Sequence, residues 1–135
     1  MSYFVAYLAT FITFLIADYI GLSYMLKPLF QRYIGDLMLE QFRVVPALLF
    51  YAFLVFVVMW FVGWPALDED KSLLWVFGSA ALIGAASYGT YEFTNYAVMR
   101  DWTATMVAVD VTWGTVVTGA TAAVGVWVTR LLGLV

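Results

Sequence analysis

The chain contains no cysteine and no histidine. Without cysteine there is no disulfide framework and no thiolate nucleophile. Without histidine, His-ligated haem, ordinary zinc centres and Ser-His-Asp hydrolysis are excluded together. Charge is also scarce: Asp, Glu, Lys and Arg make up 11% of 135 residues, too little to cover a water-facing shell. The net charge is -3 and no basic run exists, so no nucleic-acid partner is expected. No glycine pattern follows a strand, so a nucleotide-binding loop is absent, and no cofactor is implied.

What is present is apolar. At 65% hydrophobic residues, the composition is that of an integral membrane protein, with room for a single domain, 1–135. The opening run, from Met1 to Phe11, has no basic residue ahead of it and no small-x-small cleavage signal. It reads as a retained membrane helix, not a signal peptide.

Four segments reach the roughly 20 apolar residues that a bilayer span requires. They cover about 3–25, 44–64, 72–99 and 102–128. The runs are continuous and lack the alternation of an outer-membrane barrel. Helices also satisfy their own backbone groups in lipid. The expected fold is all-α: a polytopic four-transmembrane-helix bundle.

The longest connection follows the first span. Leu29, Phe30, Tyr33, Ile34, Leu37 and Met38 recur there at helical spacing, with Gln31, Arg32, Gly35 and Asp36 on the other side, and Pro28 suits a first helical position. A short interfacial helix is expected, either as a plain connector or as a lid. Pro65 is expected to end the second span, and the third and fourth spans should form a tight hairpin around Arg100 and Asp101. Lys27, Arg32, Arg43 and Arg100 fall on one side of the membrane, Lys71 and Arg130 on the other. The richer side is expected to be cytoplasmic, leaving both termini periplasmic or exterior. Trp60, Trp64, Trp75 and Trp127 gather towards that outer side, as an interfacial aromatic belt does.

Three carboxylates interrupt the apolar runs: Asp18, Glu92 and Asp110. Each costs about 3 kcal/mol at mid-membrane on insertion scales, so each should face the bundle interior or a wet cavity. Counted inward from the basic ends of their helices, all three lie at a similar depth, about 12–14 Å in. No Lys or Arg stands at that depth, so the group is expected to retain and share protons. Asn95 and Tyr88 share a helix face with Glu92, and Trp113 shares one with Asp110. These six are the candidate substrate-binding or proton-coupling residues, with no catalytic residue assigned. Trp113 sits deep, and its indole N–H needs a partner if buried. Oxygen atoms from Asp18, Glu92, Asn95 and Asp110 suit a hard cation, but their spacing matches no metal signature and no metal site is assigned. A structural role, with protonated carboxyls bridging helices, is the alternative.

Small residues at four-residue spacing, Ala81, Ala85 and Gly89 on one helix and Gly114, Thr118 and Ala122 on another, read as helix contact faces. Thr112, Thr115, Thr118 and Thr121 are expected to bond their own backbone.

The run Tyr88-Gly89-Thr90-Tyr91-Glu92-Phe93-Thr94-Asn95-Tyr96-Ala97, then Trp102, then Asp110-Val111-Thr112-Trp113-Gly114, resembles the DUF2177 family of predicted bacterial membrane proteins. That pattern runs aromatic-x-T-Y-D-x-T-N-x-A, a tryptophan, then D-x-x-W-G. Ala17-Asp18-Tyr19 matches the first-helix leucine-aspartate-aromatic motif loosely. Val45-Pro46-Ala47 with Phe50-Tyr51, and Pro65-Ala66, fit the second helix. Glu92 stands where aspartate is usual: the carboxylate is kept, with a reach longer by one methylene. The resemblance implies a four-helix protein of a bacterial inner (plasma) membrane and carries no activity with it.

Three functions follow. The leading one is a small transporter or binding protein whose acidic intramembrane pocket takes a cation or small amine, with Glu92 or Asp110 available for proton coupling. Four helices are few for a translocation path, so a homodimer is expected. The second is an isomerase-like enzyme using the three acids on a lipid-like substrate. The third is an accessory subunit of a larger membrane complex. Membrane lipids are the one partner common to all three.

Overall fold

The computed structural model describes all 135 residues, Met1–Val135. Four helices long and apolar enough to cross a membrane account for nearly the whole chain: α1 (Ser2–Leu37), α2 (Val44–Glu69), α3 (Leu73–Val98) and α4 (Ala104–Leu131). The protein is an all-α, multi-pass membrane protein. The starts of α3 and α4 are capped by side chains. Ser72 Oγ accepts from the Trp75 backbone N–H at 3.0 Å, and Thr103 Oγ1 from that of Met106 at 3.2 Å, each satisfying a donor that the first turn leaves free.

Two prolines fail to end their helices, and one device explains both. A single wide π turn spans Leu22–Leu26 in α1 and Met59–Gly63 in α2. In each case one residue follows, and then the proline: Lys27-Pro28 and Trp64-Pro65. A proline ring inside a regular helix meets the carbonyl one turn back and leaves that carbonyl without a donor. The wide turn bonds five residues back, which relieves the clash and lets the helix resume. Pro65 therefore does not terminate α2, which runs on to Glu69. The short helix expected after the first span is present at Lys27–Ile34, but it continues α1 without a connecting loop. At 1.5 Å per residue α1 is about 54 Å long, well beyond a hydrocarbon core of about 30 Å.

The bundle is sealed at one end and open at the other. α3 and α4 make the most extensive pairing, and α1 packs on α4. The face of α3 that meets α4 runs Phe77, Ala81, Gly84 and Tyr88, opposite Gly114, Thr118 and Gly119. This corrects the expected Ala81, Ala85, Gly89 stripe. A side chain at Gly89 would reach nothing but Phe93 of its own helix, whereas one at Gly84 would strike α4. Thr115 and Thr121 do bond the carbonyls four residues back, while Thr118 Oγ1 has no partner.

At the sealed end the main core, including Ala6, Val55, Val62, Val76 and Val126, lies under the acidic turn 68–71. Arg130 donates to the carbonyls of Lys71 at 2.6 Å and Ala66 at 3.2 Å. Trp64 stacks on Tyr3 at 4.9 Å and donates to its carbonyl, and the Tyr3 hydroxyl bonds Asp68. At the opposite end residues 41–50, which open α2, are all exposed. There a smaller cluster of Ile34, Trp102, Met106 and Val107 ties the α1 extension to the α3–α4 hairpin.

Candidate functional site

The splayed start of α2 leaves a cavity of about 730 Å³ at the open end. α1 contributes the longest wall, through Asp18, Leu22, Leu26, Lys27, Phe30 and Ile34. Tyr51 and Phe50 come from α2, Tyr88 and Tyr91 from α3, and Asp110 from α4. The connection after α1 adds Met38 and Phe42 to the lining.

The π turn makes this wall possible. In a regular helix, positions 18, 22 and 26 share a face that continues to 29 and 33. The extra residue in the turn rotates the register, so that Lys27, Phe30, Ile34 and Leu37 carry the same wall onward. Such single wide turns recur at functional sites in helical proteins.

All three membrane carboxylates are buried: Asp18 is 2% exposed, Asp110 6% and Glu92 0%. They are placed differently. Asp18 lines the cavity floor, where its Oδ1 accepts from Trp113 Nε1–H at 3.1 Å and its Oδ2 has no hydrogen-bond partner. The Tyr51 hydroxyl approaches the same carboxyl from α2, held by packing of its ring on Phe14 at 5.1 Å. Asp110 also lines the cavity and faces Glu92 behind it, within reach of a shared proton. Glu92 Oε1 accepts from Trp102 Nε1–H at 2.9 Å. Its Oε2 has no hydrogen-bond partner. No three acidic side chains converge as a metal-binding group would require.

Two glycines set these positions through close approach. A side chain at Gly21 would overlap the Trp113 indole, so the ring lies flat on α1 with its N–H one turn away at Asp18. A side chain at Gly114 would overlap the Tyr88 ring, which is thereby lodged between α3 and α4 beside Asp18 and Asp110. The Gly114 of the D-x-x-W-G motif is thus explained by what sits on it.

Of the six candidates, Asp18, Asp110 and Tyr88 line the cavity. Glu92 stands behind Asp110. Trp113 stands behind Asp18 as a hydrogen-bond donor and not as a cavity wall; its outer face lines a separate shallow groove with Met25 and Val116. Asn95 does not reach the cavity. It lies one turn beyond Tyr91, half-buried, near the Tyr91 hydroxyl. Three contributors were not singled out from the sequence. Tyr51 and Trp102 carried a signal, as an aromatic and a tryptophan within the motifs. Lys27 carried none, because only the π turn brings it onto the cavity side.

Trp102 is the hub of the open end. It is edge-on to Phe30 at 5.4 Å and to Tyr91 at 5.7 Å while bonding Glu92. The α1 extension is thereby coupled to the carboxyl pair.

Among known protein families, the one described as Predicted membrane protein (DUF2177) matches this chain over residues 3–127. No curated protein and no solved structure matches it.

Proposed function

The chain belongs to the DUF2177 family of membrane proteins, and on that footing we propose that it is a membrane binding protein or transporter for amphiphilic amines. The cationic head of the ligand rests between Asp18 and Asp110, and its apolar body lies along Leu22, Leu26, Phe30 and Phe50. The observation that carries this reading is the free Oδ2 of Asp18, buried at the floor of an apolar-walled cavity that contains a second carboxylate. A buried carboxylate oxygen without a donor is expensive, and an ammonium N–H supplies both the missing hydrogen bond and the missing counter-charge. The aromatic walls add attraction for a cation on its way in.

Trp113 holds one oxygen of Asp18 and leaves the other for the ligand, which favours Asp18 as the anchor. The Asp110–Glu92 pair favours one retained proton, available to leave when a cation arrives. The basic residues at the open end favour a cavity mouth on the cytoplasmic side of a bacterial inner membrane, with both termini outside.

The test is binding of dodecylamine to the protein in phosphatidylcholine nanodiscs, corrected for partition into empty discs. Asp18→Asn keeps the acceptor for Trp113 but removes the charge. It should weaken binding at least tenfold, and dodecanol should not compete. Equal affinity for wild type and Asp18→Asn would reject the reading.

A further inference from the structure

We propose that Lys27 is a second recognition point in the same cavity, and that the ligand is a zwitterionic amphiphile carrying an anionic group at the end opposite its amine. This rests on the amine reading of the floor and adds the chemistry of the mouth.

Lys27 lies on the same cavity wall as Asp18, nine positions further along α1. That is about 13 Å of helix rise. The wall between them is apolar, formed by Leu22 and Leu26 with Phe30 just beyond. The cavity therefore has a negative floor, an apolar middle and a positive rim.

The rim cation is uncommitted. Both ion pairs in the protein, Lys71–Glu69 and Arg130–Asp70, are at the sealed end. The Lys27 ammonium has no carboxylate partner and instead sits 5.4 Å from the centre of the Phe42 ring. Asp36 and Glu40 are exposed on the nearby connection and neither lines the cavity. A lysine at a membrane edge ordinarily extends its ammonium into water. Here the π turn brings it onto the cavity wall, against Phe42 of the segment that follows α1.

A carboxylate or a phosphate would serve equally as the anionic group, since an ammonium binds either as a point charge. The length of the apolar body is constrained more tightly: it must span the rise from Asp18 to Lys27. An ω-amino fatty acid of intermediate length has this form, as does an amine whose far end bears a phosphate ester.

The experiment compares dodecylamine, 12-aminododecanoic acid, 12-aminododecyl phosphate and dodecanoic acid on wild type and Lys27→Gln in phosphatidylcholine nanodiscs. Either zwitterion should bind wild type about two- to fivefold more tightly than dodecylamine, the scale of a partly exposed ion pair. Lys27→Gln should abolish that advantage, so that neither zwitterion binds more tightly than dodecylamine does to the same variant. The ranking of the carboxylate against the phosphate identifies the anion. If dodecylamine binds and neither zwitterion gains, or the gain survives Lys27→Gln, the Lys27 inference is overturned and the amine reading stands. If dodecylamine fails to bind wild type, or dodecanoic acid matches 12-aminododecanoic acid, both are overturned.

Discussion

The indole N–H of Trp113 donates to Oδ1 of Asp18 at 3.1 Å, joining α4 to α1 across 95 residues of sequence. The bond fixes one carboxylate oxygen and leaves the other free at the cavity floor. It performs two tasks, tying two helices together and orienting the acid.

Trp113→Phe removes the bond. Asp18 loses its N–H donor, and the indole atoms that lie against Gly21 are lost with it. The cost should be about 1–3 kcal/mol of stability, read as a lower thermal midpoint in detergent. Asp18→Asn in the same background should recover part of it, because an amide tolerates the loss better than an ion does. Additive effects of the two substitutions would show that the bond carries no coupling.

Gly114→Ala should be among the most damaging single-methyl changes in the chain. The added carbon meets the Tyr88 ring, which is lodged between two helices, and overpacking of this kind costs about 1–3 kcal/mol. Gly89→Ala, on the same helix as Tyr88 but with open space around it, should be neutral or slightly stabilising. Thermal unfolding of both variants checks the contrast, and equal effects would contradict the packing described.

Deletion of Ser23 together with Pro28→Ala should abolish ligand binding without loss of helix. Ser23 is an exposed member of the π turn. Its removal restores a regular register and rotates the α1 extension by about 100°, turning Lys27, Phe30 and Ile34 off the cavity. Circular dichroism should be unchanged while dodecylamine affinity falls at least tenfold. Retained affinity would show that the extension is not a binding wall.

Arg130→Ala tests the opposite end. It removes two charge-assisted hydrogen bonds to the carbonyls of Ala66 and Lys71, worth about 1.5–3 kcal/mol each when buried and less here, where Arg130 is partly exposed. The pair with Asp70 at 3.7 Å adds little, since Asp70 is almost fully exposed. Stability should fall and amine affinity should stay within a factor of about two. A large loss of binding would mean that the sealed end controls the cavity.

Much of the architecture was legible in the residues. Continuous apolar runs dictate spanning helices because lipid offers no partner for a free peptide group. The carboxylates had to face inward because hydrocarbon penalises them, and depth counting put Asp18, Glu92 and Asp110 near one another. Depth does not give azimuth. Asn95 lies three positions from Glu92 and was counted with it, yet the offset of about 60° and one further turn towards the helix end put it beside Tyr91 and outside the cavity lining. The π turns were not legible either. Pro28 read as the first residue of a separate helix and Pro65 as a helix end, and only the three-dimensional path reveals that a wide turn ahead of each absorbs its clash. The same turn hid Lys27, which a regular helix would have directed elsewhere. The Ala81, Ala85, Gly89 stripe misled for a related reason: small residues permit close approach but do not say which of them is approached.

The most direct test of the central claim is a crystal structure grown in a lipidic mesophase with 12-bromododecylamine, using anomalous scattering to find the bromine. The account predicts the amine between Asp18 and Asp110, with the bromine towards Phe42 and the mouth. A bromine at the floor beside Asp18, with the amine outside, would contradict it, since the ligand would then enter tail first and the buried carboxylates would not be its anchor.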